Sequence, residues 1–216
     1  MRSIGRYFAS VLWQIKEQKR VKKRFYMNAQ LCQTDRALAK AYLGRNPFHI
    51  SKRFLQQKGS ASIYAYGETP LTTLAQIAEE CGITAQDHVM ELGCGRGRGA
   101  FFLSNHTGCK VLGIDWIPEF VNTANDISKQ LKLSKVRFAC TDMFSMDFTK
   151  ATAIYLYGTC LEDAEIELLQ TRFQTLRRGT KIITVSYPLE GNFALRKEFT
   201  AAYPWGETEV FLNEVL

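Results

Sequence analysis

The chain has three histidines, and none lies near a cysteine at the spacing a metal ion needs, so a structural zinc site is not expected. Its six cysteines, Cys32, Cys81, Cys94, Cys109, Cys140 and Cys160, include no CxxC pair. In a chain of 216 residues, long enough to bury a core without staples, that scatter points to reduced thiols and a cytoplasmic setting. No run approaches the ~18 consecutive apolar residues of a membrane span. There is no internal repeat or low-complexity tract. The apolar stretch after Arg6 is too short for a secretory signal, with no clear small-residue cleavage site after it. Core material is plentiful: hydrophobic residues make up 46% and aromatics 12%, which excludes wholesale disorder.

The net charge of +7 is unevenly spread. Residues 1–60 carry 14 Lys and Arg against Glu17 and Asp35, a balance of +12, and residues 61–216 carry 14 against 19 acids, a balance of −5. The chain therefore divides into a basic helical N-terminal extension, 1–60, and a body, 61–216. Ile4, Phe8, Val11, Leu12 and Ile15 recur at helical spacing and predict an amphipathic helix over 3–24. It ends in Lys19-Arg20-Val21-Lys22-Lys23-Arg24, which suits the negative end of the helix dipole. A second helix is expected from Asp35 as N-cap through Leu43, stopped by Gly44 and Pro47, and a third from Ser51 to Gln57. Three roles fit the extension: a cap packed on the body, an anionic membrane surface contact with Trp13 at the interface, or a nucleic-acid contact through residues 1–58. The second would make the protein peripheral on a membrane.

From residue 70 strands and helices alternate. Pro70 is expected to open a helix with Thr69 as its N-cap, and His88–Leu92, 111–115, 136–140, 153–157 and 181–186 read as strands with helices between them. This alternation implies an α/β, Rossmann-like, mostly parallel sheet covered on both faces. Residues 195–203 and 208–215 look extended about the turn Pro204-Trp205-Gly206-Glu207, a C-terminal antiparallel hairpin on one sheet edge.

In such sheets ligands bind beyond the carboxyl ends of the strands. The first strand runs into Glu91-Leu92-Gly93-Cys94-Gly95-Arg96-Gly97-Arg98-Gly99, where glycines admit a ligand close to the backbone and the next helix offers free amides. Asp115 ends the second strand, placed to accept from two ribose hydroxyls, and Asp142 with Met143 follows the third, suited to an adenine's amino group and face. The glycines alone also satisfy a loose dinucleotide fingerprint. Glu91 would repel a pyrophosphate, however, and suits a ligand carrying an ammonium group. Arg96 and Arg98 serve either an acidic ligand or nearby carboxylates.

This set resembles the motifs of the seven-stranded, class I S-adenosylmethionine-dependent methyltransferases over residues 64–216. The resemblance implies S-adenosylmethionine as cofactor and no metal. It implies that Glu91, Gly93, Gly95 and Gly97 hold the methionine portion, Asp115 the ribose with Trp116 beside the nucleoside, and Asp142 with Met143 the adenine. Tyr66-Gly67-Glu68-Thr69 is similar to a loop of the non-SET nucleosomal lysine methyltransferases of the telomeric-silencing type, which implies that Tyr66 and Thr69 line the cofactor pocket. After the fourth strand, where that family has asparagines, this chain has Tyr157-Gly158-Thr159-Cys160. It lacks the Pro-Pro-aromatic motif of enzymes that methylate base amines and the Pro-Cys of cytosine-carbon methylation. Tyr66 and Tyr157 are the candidates to line the transfer channel. The expected activity is methyl transfer to a protein side chain, lysine among them, or to another macromolecule. The alternatives are a catalytically idle binding partner of the same fold and a nicotinamide-dependent oxidoreductase.

Overall fold

The computed structural model describes residues 2–60, 62–63 and 66–216, with side chains described from Ser10 onward. Three N-terminal helices, α1 (Arg2–Phe25), α2 (Ala29–Ala41) and α3 (Pro47–Gln57), precede α4 (Leu71–Glu80). Then β1 (His88–Leu92), α5 (Arg98–Thr107), β2 (Lys110–Asp115), α6 (Pro118–Gln130), β3 (Val136–Cys140), β4 (Ala153–Leu156), α7 (Asp163–Phe173) and β5 (Lys181–Val185) alternate as the sequence predicts. The chain closes with the hairpin β6 (Phe193–Tyr203) and β7 (Gly206–Val215). All seven strands form one sheet in the order β3-β2-β1-β4-β5-β7-β6. The first five are parallel, and β7 enters antiparallel between β5 and β6. Strand order reverses between β1 and β4, which makes their carboxyl ends the switch point.

Side chains alternate between two cores, as the period of two along a strand requires. Val89, Val111, Ala153, Tyr155 and Ile183 pack with α4, α5 and α6 on one face. Met90, Leu92, Ile114, Ile154, Leu156 and Ile182 pack with Leu169 and Phe173 of α7 on the other. No described helix is long and apolar enough to cross a membrane.

The extension is part of the first core rather than a detached arm: Val21, Phe25, Leu31, Leu38 and Ile50 are buried in it. Four expectations change here. α2 starts at Ala29, because Asn28 accepts the Leu31 amide at 3.0 Å and caps it, and Asp35 lies mid-helix with its carboxylate turned to Arg98. Pro47 opens α3 under an Asn46 cap, since a proline at the first helical position loses no needed hydrogen bond. Pro70 itself holds the N-cap position of α4, and the Thr72 amide bonds to Glu17 of α1 at 3.0 Å; Thr69 is thereby left for another partner. Leu12 and Ile15 face solvent, because the buried stripe of α1 runs through Glu17, Val21 and Phe25. The side chains of Ile4 and Phe8 lie outside the described residues.

Candidate active site

Sheet register decides which side chains meet at the switch point. Glu91 pairs with Gly113 on one side and Tyr155 on the other, and paired residues of a parallel sheet share a face. Asp115 and Tyr157, two residues further along, therefore share it too. Gly67, Glu68, Thr69, Glu91, Gly93 and Tyr157 line one cleft there, with Tyr155 and Gly99 in its wall.

Glu91 is the chemical centre of the cleft. Its Oε1 lies so close to Gly99 that any Cβ at residue 99 would overlap it, and its carboxylate accepts the Ala100 amide at the start of α5. Its Oε2 is buried with no hydrogen-bond partner among the described residues. Burial, with the nearby charge of Glu68, pushes the Glu91 carboxyl up to about 8. A buried carboxylate without a counter-charge is costly, and a cationic ligand would supply one.

Asp115 carries a structural task beside any ligand: its Oδ2 accepts the Gly95 amide at 2.7 Å and its Oδ1 the Ile117 amide at 2.9 Å. Burial raises its carboxyl against those two bonds. The Trp116 amide adds a third bond, and a carboxylate's roughly four acceptor sites leave room for a hydroxyl donor. Trp116 is 45% exposed, edge-on to Phe54 at 5.5 Å, with the Lys58 ammonium 5.3 Å above its ring. Asp142 caps a short turn over Met143–Ser145 by accepting the Phe144 amide at 2.9 Å. Asp142 and Met143 follow β3, two strands from β1, and do not line the cleft.

The loop over 66–69 lies on the glycine loop. The Tyr66 ring covers Gly95, whose φ of +55° and 3.0 Å clearance for a Cβ leave room for glycine alone. Tyr66 also packs against Phe48 of α3 and Phe120 of α6. Its hydroxyl donates to Glu68, and Glu68 takes two bonds from the Arg96 guanidinium, the second at 2.9 Å. Burial would raise the Glu68 carboxyl, but those Arg96 bonds override it and hold it low. Thr69 Oγ1 meets the Tyr155 hydroxyl at 2.5 Å. Arg98 bonds to Asp35 at 2.7 and 3.0 Å and to Gln18 at 3.1 Å, tying α5 to α2 and α1. Both loop arginines thus serve carboxylates of this chain.

Past β4, Tyr157 stacks on Tyr203 with centroids 5.4 Å apart and planes at 2°, and Tyr203 stacks in turn on Trp205. The Trp205 indole N–H donates to the Tyr157 hydroxyl at 3.0 Å. The hairpin tip reaches the cleft because β7 runs antiparallel to β5, with Val210 beside Val185. The sequence reading named Glu68 and Gly99 only as members of their loops, and missed Tyr155 and Trp205 as site residues. Strand parity alone would have placed Tyr155 beside Glu91.

A glycine turn open at Gly93, a buried carboxylate with one oxygen unpartnered among the described residues, and a second carboxylate at the next strand end together suit an amino-acid nucleoside. Residues 89–181 match the family model described as a methyltransferase domain. The matched segment is similar to a methyltransferase domain, and the fold is the Rossmann-like methyltransferase fold. A sterol 24-C-methyltransferase of Kluyveromyces lactis is 30% identical to this chain over 112 residues, 51% of this chain and 28% of that protein. The match thus spans 22–28% of the length of these curated relatives. Among solved structures, an RNA methyltransferase from Salinibacter ruber in complex with S-adenosyl-L-homocysteine superposes with a TM-score of 0.57 at 24% identity, covering 69% of this chain and 94% of that one. Magnesium protoporphyrin IX methyltransferase from Synechocystis PCC 6803, with bound SAM, gives 0.57 at 12% identity, covering 79% and 98%. These structures share the methyltransferase fold, and their acceptors differ.

Proposed function

We propose that the chain is an S-adenosylmethionine-dependent methyltransferase whose acceptor enters by displacing Tyr157, whose ring is packed on Gly67 of the 66–69 loop. The observation that carries this reading is the buried, unpartnered Oε2 of Glu91 at the open glycine turn. There Glu91 pairs with the ammonium of the methionine portion, Gly93 lets it approach the backbone in the turn that Gly95 and Gly97 complete beneath Tyr66 and against Phe138, and Asp115 takes the ribose hydroxyls with Trp116 beside them. Asp142 and Met143 take the adenine, and Tyr66 and Thr69 close over the donor. The cofactor supplies a methyl group already activated on a sulfonium. The protein's share is positioning and exclusion of water, with no obligatory acid or base. Tyr157, held by Trp205, orients the acceptor. A carboxylate at position 91 disfavours the pyrophosphate of a nicotinamide dinucleotide.

The matched relatives are named for sterol, RNA and porphyrin acceptors. The resemblance of Tyr66-Gly67-Glu68-Thr69 supports a protein side chain, lysine among them, and rests on that loop alone. Calorimetric titration with S-adenosylhomocysteine and with NAD tests the cofactor. Asp115→Ala is expected to weaken the former by roughly 1.5–3 kcal/mol, the scale of a lost charge-assisted hydrogen bond. Unchanged affinity in that variant refutes the assignment. Labelled methyl transfer into separated lipid, RNA and protein fractions of a lysate identifies the acceptor class, and no transfer to any of them favours an idle fold.

A further inference from the structure

The outer face of α1 is unused by the fold and by the proposed reaction. Leu12, Ile15, Lys16, Lys19 and Lys23 stand at i, i+3, i+4, i+7 and i+11 along the helix, so they share one stripe opposite Glu17, Val21 and Phe25. Leu12 is 58% and Ile15 49% exposed, the three lysines are exposed, and Arg20 and Lys22 flank them. The described ion pairs of the extension join Arg45 and Arg53 to Glu119, and Asp35 to Arg98; none involves these five cations. The helix is no loose tail, since Glu17 and Gln18 on its inner side are bonded to Thr72 and Arg98. The stripe is therefore presented rigidly.

We infer that this stripe docks the protein on an anionic bilayer surface. Two features choose a bilayer over a polynucleotide. A phosphate backbone is met by cations and gains nothing from aliphatic side chains. Leu12 and Ile15 stand in line with the lysines, and Met27, just beyond the helix end, is 92% exposed. An interfacial helix buries such aliphatics at the acyl boundary while lysine stems extend to the headgroups. Because the same helix is bonded to Thr72 of α4 and to Arg98, which lines the cleft, docking fixes how the cleft is held relative to the surface.

The test is co-sedimentation of the 216-residue chain with vesicles of phosphatidylcholine alone and of phosphatidylcholine mixed with phosphatidylserine. Binding is expected only to the mixed vesicles, and weakened by salt. The triple variant Lys16→Glu, Lys19→Glu, Lys23→Glu should lose more than about a hundredfold in affinity, from the contribution of each cation near an anionic surface. The variant Leu12→Asn, Ile15→Asn should lose about tenfold or more while keeping every charge. All five positions are exposed, and an unchanged melting temperature verifies that each variant is folded. Equal binding to neutral and mixed vesicles, or wild-type binding by the aliphatic variant, overturns the inference. So does displacement from mixed vesicles by a nucleic-acid duplex that the aliphatic variant binds as tightly as wild type, which would assign the stripe to nucleic acid.

Discussion

Glu91→Gln should make the protein more stable and less able to bind its cofactor. In the native state the Glu91 carboxyl ionises near 8, against an ordinary value of 4.5. Between those values the folded chain retains a proton that the unfolded chain has released. Stability therefore falls as pH rises, by up to about 1.4 kcal/mol per pH unit, is undiminished below about 4.5 and stops falling above about 8. Glutamine keeps the shape of the protonated acid and does not titrate. The variant should thus match wild type near pH 4.5 and exceed it by on the order of 3 kcal/mol at pH 7. Urea unfolding of both proteins across pH 5–8 measures this. For the ligand the sign reverses: an ammonium pairs only with the ionised carboxylate. Binding of S-adenosylhomocysteine to wild type should release a proton below pH 8 and tighten with pH up to that point. Calorimetry in two buffers of different ionisation enthalpy counts that proton, and the variant should bind more weakly and release none from this site. A stability difference independent of pH, or a heat of binding independent of buffer, would refute the reasoning.

Asp35→Asn leaves the Arg98 guanidinium without its buried counter-ion and should cost about 3 kcal/mol by chemical denaturation. In wild type, burial opposes ionisation of Asp35, but Arg98 holds its carboxyl at about 2, so this pair's stabilisation is present above about pH 4 and is lost as pH falls toward 2. An acid titration of melting temperature should show that loss in wild type and a reduced loss in the variant. Gly99→Ala drives a Cβ into Glu91 and should lower both stability, by about 1–3 kcal/mol, and cofactor affinity; calorimetry and denaturation read the two separately. Deleting residues 2–24 removes Glu17 from the α4 terminus and Val21 from the core, and should lower the melting temperature by several degrees.

The strands were legible because hydrophobic alternation and glycine punctuation are local properties: His88–Leu92 and Val136–Cys140 match residue for residue. Carboxylates at strand ends were legible for the same reason, since topology places such ends together. The extension was not. Asp35 reads as a helix cap by its chemistry, yet Arg98, 63 positions away, claims it. Leu12 and Ile15 keep helical spacing whichever way they face, and only the partners of Glu17 and Gln18 set the rotation of α1. Local pattern specifies that a helix forms, and distant polar contacts specify how it lies. The latch among Tyr66, Glu68 and Arg96 was hidden likewise, because its two halves belong to different loops.

The hydrogen bond between Trp205 and Tyr157 gives the cleft an optical consequence. The chain has three tryptophans, and Trp205, 56% exposed, is bonded to a side chain that lines the cleft. Any molecule that displaces Tyr157 alters the polarity and stacking around that indole, and so its emission. Trp116, just past β2, lies on the same carboxyl edge of the sheet, and on the proposed reading it answers to the nucleoside. With Trp116→Phe and Trp205→Phe the two signals separate, so acceptor entry and donor entry can be followed in one cuvette without a label, and the order of the two events becomes a kinetic observable.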